Sequence, residues 1–302
     1  MDFIIQYLFK FKEGRCMCEL FSISSKNNMI INDFLENFYS HCNQHPHGWG
    51  FARFYDDKLE IFKGPEKATE SKQLKAILSN QILAKNAFAH IRLATTGITN
   101  LSNCHPFTKS DNNGRQWTLM HNGTIFKCDL LDKYVDMQIG QTDSERILYY
   151  IIDEINRIED QNQRILSEEE LFNLINNIII NLSESNKLNI MIYDGNLMYI
   201  HINKEDSLYS LKFDDCLIFS TRPVSNDKWT PVNINIVYAV KDGKIVYQGC
   251  RHEYEYVLTE DNLDLIYQRL SQEQKQNIID EYGSYDNMKR EIFKNKNDSK
   301  LY

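Results

Sequence analysis

The chain has 302 residues, a net charge of −8 at neutral pH and an isoelectric point near 5.5. That length suits one large domain or two small ones around a substantial core, and the acidic balance argues against nucleic acid or an anionic membrane as partner. The cysteines, 7 in all, are odd in number and lack framework spacing, which fits a reducing cytoplasm better than a disulfide scaffold.

The opening apolar run, residues 3–9, is too short to span a bilayer. It also lacks the basic start and small-residue cleavage site of a signal peptide. Residues 1–17 read as an upstream extension, either cut from the mature chain or preceding the true start at Met17. Lys12-Glu13-Gly14 can be encoded by AAG-GAG-G, a purine-rich ribosome-binding sequence, which favours the second account. Methionine is then trimmed in front of a small residue such as Cys18.

Cys18 to Ser24 reads as a short apolar strand ended by the polar cluster Ser24-Ser25-Lys26-Asn27-Asn28. Asn32 to Ser40 has helical spacing, with Ile31, Phe34, Leu35 and Phe38 on one face. Trp49 to Phe54 and Lys58 to Lys63 read as a hairpin pair, Glu70 to Asn80 as a helix, and Ala87 to Leu93 as a strand that delivers Arg92 to its end. Residues 98–116 read as a long loop. Trp117 to Met120 is then a strand leading into a turn at Asn122-Gly123. Thr142 or Asp143 is a natural helix N-cap before Ile147 to Ile158, and Ser167-Glu168-Glu169-Glu170 repeats the signal before a helix to about Leu182. The second half turns β-rich. Strand pairs flank Asp194-Gly195 and Asp242-Gly243, with Ser207 to Phe213 and Cys216 to Thr221 between them. Thr259 to Phe293 is helical and polar-rich. Strands, two central helices and more strands suit a layered α+β fold.

Cys18 draws attention because a cysteine at a free N-terminus carries nucleophile and base in one residue. Its thiol has an ordinary pKa of about 8.5 and a free α-amine about 7.7–8.0, so the amine can take the thiol proton near neutrality. Taken alone, Met17-Cys18 fits an inert buried cysteine equally well. Asn122-Gly123 alone is an ordinary turn, Arg92 a surface ion-pair partner, and Asp143 a helix cap.

The set changes the balance. Arg92-Leu93-Ala94-Thr95-Thr96-Gly97, His121-Asn122-Gly123-Thr124-Ile125 and Thr142-Asp143-Ser144-Glu145 follow Cys18 in order. Together they resemble the class II glutamine amidotransferases, whose glutaminase domain is an N-terminal nucleophile hydrolase. The likeness runs from Cys18 to about Arg251 and is strongest to small stand-alone members that begin Met-Cys and carry the Asn-Cys-His-Pro-Phe segment found here at Asn103 to Phe107. It implies a four-layer αββα sandwich over residues 18–258, followed by a helical extension at 259–302. It also implies that Cys18 rather than Cys16 is the nucleophile, and that Asn122 and Gly123 form the oxyanion site, with His121 structural. Arg92 is then expected to bind the substrate α-carboxylate bidentately and Asp143 its α-ammonium. Thr95, Thr96 and Gly97 shape the pocket wall. Leu93 and Thr96 stand where the wider family often has Trp and His.

His41, Cys42, His45 and His47 have no second ligand pair in sequence, so they read as loop residues rather than a zinc site. Cys104-His105 likewise reads as structural. No metal or cofactor is expected. The expected partner is glutamine or a γ-glutamyl small molecule, with any acceptor on a separate synthase or peptidase subunit, or water. Two readings compete with glutamine hydrolysis: cleavage of γ-glutamyl peptides resembling glutathione, and a non-catalytic regulatory or metal-binding module on the same fold.

Overall fold

Alternating burial along the first strand sets the layering. In β1 (Glu19–Ile30) Leu20 packs with one apolar cluster while Phe21 and Ile23 pack with another on the opposite face, as the two-residue period of a strand requires. The computed structural model describes residues 18–55, 58–93, 99–270 and 272–298. The expectations for residues 1–17 and for Thr95, Thr96 and Gly97 therefore fall outside the described residues.

β1, β2 (Trp49–Tyr55), β3 (Lys58–Gly64) and β4 (Leu83–Ile91) join β9 (Tyr209–Phe213), β10 (Cys216–Ser220) and β11 (Thr230–Pro231) in a 7-stranded sheet ordered β11-β9-β10-β1-β4-β2-β3. A 6-stranded sheet contains β5 (Phe107–Ser110), β6 (Gln116–Thr124), β7 (Lys187–Tyr193), β8 (Met198–His201), β12 (Tyr238–Lys241) and β13 (Lys244–Gln248), in the order β13-β12-β8-β7-β6-β5. Among the described residues every paired strand is antiparallel.

Three apolar clusters separate four layers. Leu20, Phe54 and Phe88 of the first sheet meet Met120, Met191 and Ile200 of the second in the central cluster. The outer face of the first sheet packs on α1 (Asn32–Ser40) and α2 (Lys72–Leu78) through Phe21, Trp49, Ile91, Leu35 and Leu74. The outer face of the second packs on α3 (Asp143–Asn162) and α4 (Glu168–Ser183) through Leu119, Ile190, Ile147 and Ile175. This is the four-layer αββα sandwich. Each fully buried Phe or Leu contributes about 1.5–3 kcal/mol relative to an exposed one.

Several local expectations change. The polar cluster does not end β1, because Ser25 pairs with Cys216 and, past a bulge, Met29 and Ile30 pair with Ala84 and Leu83. The cluster's outward residues simply face solvent. Residues 98–116 are not all loop, since Phe107–Ser110 adds a strand to the edge of β6. Asn122 and Gly123 do not sit in a turn. They belong to β6, paired with Asn189 and Leu188.

The Asp242-Gly243 turn is as expected, with φ of 50° and 70° giving the double positive φ of a type I′ hairpin. Chain compactness divides the molecule into two units, Cys18–Tyr256 and one containing Val257–Tyr302. In the second, α5 (Glu260–Arg269), α6 (Gln272–Tyr282) and α7 (Tyr285–Asp298) carry an ion pair between Asp264 and Lys289 at 2.9 Å and a Tyr267–Tyr285 ring stack at 4.0 Å. Among the described residues no helix is long and apolar enough to cross a membrane.

Candidate active site

Strand parity decides which side chains meet at one end of the sandwich. Cys18 lies two residues before Leu20, so it shares the inter-sheet face. Asn122 lies two residues after Met120 on the facing sheet and shares that face too. β1 begins, and its neighbour β4 ends, at the same place, because Glu19 pairs with Ile91. Lys187, opposite Thr124 at the start of β7, acts by its charge on the Cys18 thiol, so the ends of β6 and β7 face the start of β1.

Cys18 is partly buried. The Leu93 N–H donates to its Sγ at 3.3 Å, and the sulfur lies 3.5 Å from the Leu93 carbonyl oxygen. Burial pushes the thiol pKa up, opposed by the Leu93 hydrogen bond and by the positive charges of Arg92 and Lys187. With a peptide bond on its amino side, then, this cysteine is a poor thiolate.

Arg92 is anchored by its backbone, whose N–H donates to Gly48 O at 2.8 Å and whose carbonyl accepts from the His47 N–H at 3.1 Å. Its side chain is buried and Nη1 donates to His47 O at 3.4 Å. Burial and the Arg92 charge together depress His47 to about 4, which keeps that ring neutral.

The Asn122 side chain is 3% exposed, and its Oδ1 has no hydrogen-bond partner among the described residues. Leaving a buried amide unpaired costs about 1–3 kcal/mol unless something else fills the valence. Gly123 is required for packing. A Cβ there would lie 2.0 Å from Lys187 O and 2.2 Å from His121 Nε2. His121 is buried, its Nδ1 3.1 Å from Ser144 Oγ and its Nε2 3.3 Å from Lys187 O, which joins β6, β7 and α3.

Thr142, not Asp143, caps α3: its Oγ1 accepts from the Glu145 N–H at 3.4 Å. Asp143 instead reaches back to β6, its Oδ2 accepting the Ile125 N–H at 2.8 Å while Oδ1 lies 3.9 Å from His121 Nδ1. Thus Cys18 and Arg92 adjoin on one sheet, and Asn122, Gly123 and Asp143 gather at the end of β6.

Two groups went unrecognised in the sequence. Glu19 is fully buried, its Oε2 2.8 Å from His41 Nδ1 and its Oε1 3.1 Å from Arg222 Nε, with His45 Nδ1 3.8 Å from Oε1. Burial alone would raise its carboxyl. The His41 hydrogen bond and the charges of His45 and Arg222 outweigh that and hold it below the ordinary range. His41 and His45 are therefore an anchor for the start of β1, and His45 is fully buried rather than a bland loop residue. The second group is Lys187, whose only sequence signal is a charge opening an otherwise apolar strand. Cys104 and His105 are buried, the His105 ring tilted 34° against His90 with centroids 4.2 Å apart. Among the described residues no group of three His, Cys, Asp or Glu side chains is arranged to hold a metal.

A family model described as glutamine amidotransferases class-II matches residues 17–213. An uncharacterized protein of Methanocaldococcus jannaschii is 24% identical over 262 residues, covering 78% of this chain and 72% of that one. An inferred glutamine amidotransferase of Haemophilus influenzae is 28% identical over 191 residues, which is 62% of this chain but only 63% of that relative. The fold is shared with B. subtilis glutamine phosphoribosylpyrophosphate amidotransferase, with a TM-score of 0.56 at 17% identity over 77% of this chain and 49% of that one. A 2.0 Å crystal structure of a predicted glutamine amidotransferase from Pseudomonas aeruginosa gives a TM-score of 0.52 at 18% identity, covering 77% of this chain and 100% of that one. The sandwich is accordingly that of the N-terminal nucleophile amidotransferases. Because the family model spans more than half of the sequence, this chain belongs to the class II glutamine amidotransferases.

Proposed function

We propose that the chain hydrolyses the γ-amide of glutamine, or of a γ-glutamyl compound, through a thioester on Cys18. The observation that carries this reading is the Cys18 sulfur, hydrogen-bonded beside Arg92, on the inter-sheet face that also bears the buried Asn122 amide with its unpaired oxygen. Family membership supports the same chemistry.

With residue 18 as the N-terminus, its amine takes the thiol proton and the sulfur attacks the γ-carbonyl carbon. The oxyanion accepts hydrogen bonds from the Asn122 side-chain N–H and the Gly123 backbone N–H. The amine nitrogen leaves with the proton held by the terminal amine, and a γ-glutamyl thioester remains. Water adds to that thioester and glutamate departs, restoring the thiol. Arg92 grips the substrate carboxylate through its planar fork. Asp143, its Oδ2 engaged by the Ile125 N–H and its Oδ1 accepting only a long 3.4 Å bond from the Ser144 hydroxyl, offers Oδ1 to the α-ammonium. Thr95, Thr96 and Gly97 complete the pocket wall in this proposal.

Residues 1–17 are absent from the mature enzyme on this account, 18–258 form the catalytic domain and 259–302 a helical extension. Acceptor chemistry, where it exists, falls to a separate subunit, or water is the acceptor, in a reducing cytoplasm.

A diazo-ketone analogue of glutamine tests the reading. One label per chain on Cys18, abolished in Cys18→Ala, is the expected result. Labelling elsewhere, or none in protein that begins at residue 18, overturns it. Ammonia release from glutamine measured against amine release from γ-glutamyl dipeptides fixes the leaving group.

A further inference from the structure

Directly behind the Cys18 site the inter-sheet layer holds two buried histidines that the proposed reaction does not use. Strand parity places the first. His90 lies two residues before Arg92 and two after Phe88, so it shares the inter-sheet face of β4, about 7 Å deeper than Arg92 at 3.3 Å per residue. It stands opposite Leu20 on β1 and opposite Gly50 on β2. Gly50 admits the second. A Cβ there would lie 1.8 Å from His105 O, so only glycine lets the chain around His105 close over β2. The two rings then meet with centroids 4.2 Å apart.

None of their four ring nitrogens has a hydrogen-bond partner among the described residues. Both side chains are shielded from solvent, at 0% and 4% exposure. Burial holds both imidazoles far below their ordinary range, and the Arg92 charge acts in the same direction. Both rings are therefore neutral, and each keeps one N–H donor and one bare nitrogen acceptor. Two donors and two acceptors are left unspent where polar groups are characteristically bonded, to protein or to internal water.

The chemistry of the set narrows what can answer it. A cation is disfavoured by Arg92 and Lys63, whose charges act on His105, and among the described residues no third His, Cys, Asp or Glu completes a metal site. An anion would leave the two acceptors unmet. Water, small and neutral, both gives and takes hydrogen bonds and satisfies all four. Asn122 needs the same molecule. The His121 backbone lies against the His90 ring without completing a hydrogen bond to it, so β6 passes over β4 one residue before Asn122. Asn122 Oδ1 is itself buried and unpaired among the described residues. An amide keeps its N–H aimed at an oxyanion only if something holds its oxygen, because its terminal torsion is otherwise broad.

We propose that His90 and His105 hold internal water behind the Cys18 site, and that this water binds the Asn122 amide oxygen and so sets its N–H toward the oxyanion. They are positioning residues, acting through Asn122 without touching substrate. The inference rests on the reaction proposed above, in which Asn122 donates to the oxyanion.

Ammonia release from glutamine by protein beginning at Cys18 tests it, in His90→Leu, His90→Gln, His105→Leu and His105→Gln, with each leucine change also combined with Asn122→Ala. Leucine removes the ring's donor and acceptor, whereas glutamine keeps one of each. Each leucine variant should lower kcat about tenfold or more with KM within about twofold of wild type, the pattern of a lost transition-state interaction. The glutamine variants should keep kcat within about threefold. With Asn122 already alanine, the leucine changes should cost no more than about twofold further, since their route to the oxyanion is gone. Thermal melting confirms that each variant is folded. A high-resolution crystal structure of the wild type reads the water directly and carries the test if the leucine variants do not fold. It should show water bonded to a His90 or His105 ring nitrogen and to Asn122 Oδ1. Unchanged kcat in folded leucine variants, equal losses with glutamine and leucine, a leucine loss undiminished beside Asn122→Ala, or a dry contact in the map would overturn the assignment. A kcat that Asn122→Ala leaves untouched would instead overturn the reaction reading itself, and this inference with it.

Discussion

Asn122 and Glu19 carry different expectations, one from the proposed reaction and one from the packing of β1. If Asn122 donates to the oxyanion, Asn122→Ala lowers kcat by about 10²–10³ while KM for glutamine changes little, because the interaction exists only in the transition state. Steady-state ammonia release measures the split, and an unchanged kcat with a raised KM would move Asn122 to substrate binding. Glu19 anchors rather than reacts. Glu19→Ala strands Arg222 and His41 and should cost about 3 kcal/mol, the lower end for breaking a buried pair because Arg222 is partly exposed. Denaturant unfolding gives that value directly, and a loss well under about 1 kcal/mol would show the pair to be superficial. Cys18, Arg92, Asn122 and Asp143 could be singled out as candidates because they sit in short ordered motifs. Glu19 could not be, since its partners His41 and Arg222 are distant in sequence and nothing in a strand's spacing announces a buried carboxylate.

Element boundaries follow pairing more than composition. The polar stretch after Ser24 looked like a strand end, yet backbone pairing to β10 and, past the bulge, to β4 carries β1 on to Ile30. The same logic moved Asn122-Gly123 from a turn into β6, where Gly123 is needed because β7 passes too close for any side chain. Gly123→Ala should therefore destabilise the fold by about 1–3 kcal/mol, the usual cost of overpacking, and an unshifted melting midpoint would contradict the close approach. Helix starts were easier to read. Ser167 and Glu170 form a complete capping box on α4. Ser167→Ala should cost about 1 kcal/mol and leave kcat unchanged, since α4 starts away from the Cys18 end of the sandwich. The Asp242-Gly243 turn was legible for a local reason too, because Asp-Gly favours the double positive φ found there, whereas Asp194-Gly195 opens a longer connection from Tyr193 to Met198.

At the scale of the whole molecule, two sheets face each other through Leu20, Phe88, Met120 and Met191, and helices cover both outer faces. The alternating apolar runs gave the strands, but not which strand lies beside which; β10 joins β1 across most of the chain, and only the packed structure reveals it. Burial also makes the fold acid-sensitive. His47 and His201 are depressed from 6.5 to about 4 and about 3 by desolvation, with His201 set 2.9 Å from His252. They stay neutral in the fold while the unfolded chain takes up protons below about pH 6.5. Stability present above that value is lost as pH falls toward 4 and 3, by up to about 1.4 kcal/mol per pH unit for each histidine. Melting midpoints at fixed ionic strength should drop between about pH 7 and pH 5, and a flat or opposite trend would contradict the buried-neutral assignment.

The central claim is that the Cys18 sulfur becomes reactive only when its own nitrogen is a free amine. Its thiol is pushed up while that nitrogen is an amide. Glutamine turnover should be compared between protein whose intact mass shows Cys18 as the first residue and protein still carrying Met17 that resists trimming. The account predicts ammonia release from the first and a loss of about 10²-fold or more in the second, the usual scale of a general base's contribution. Equal turnover by the two forms would contradict it.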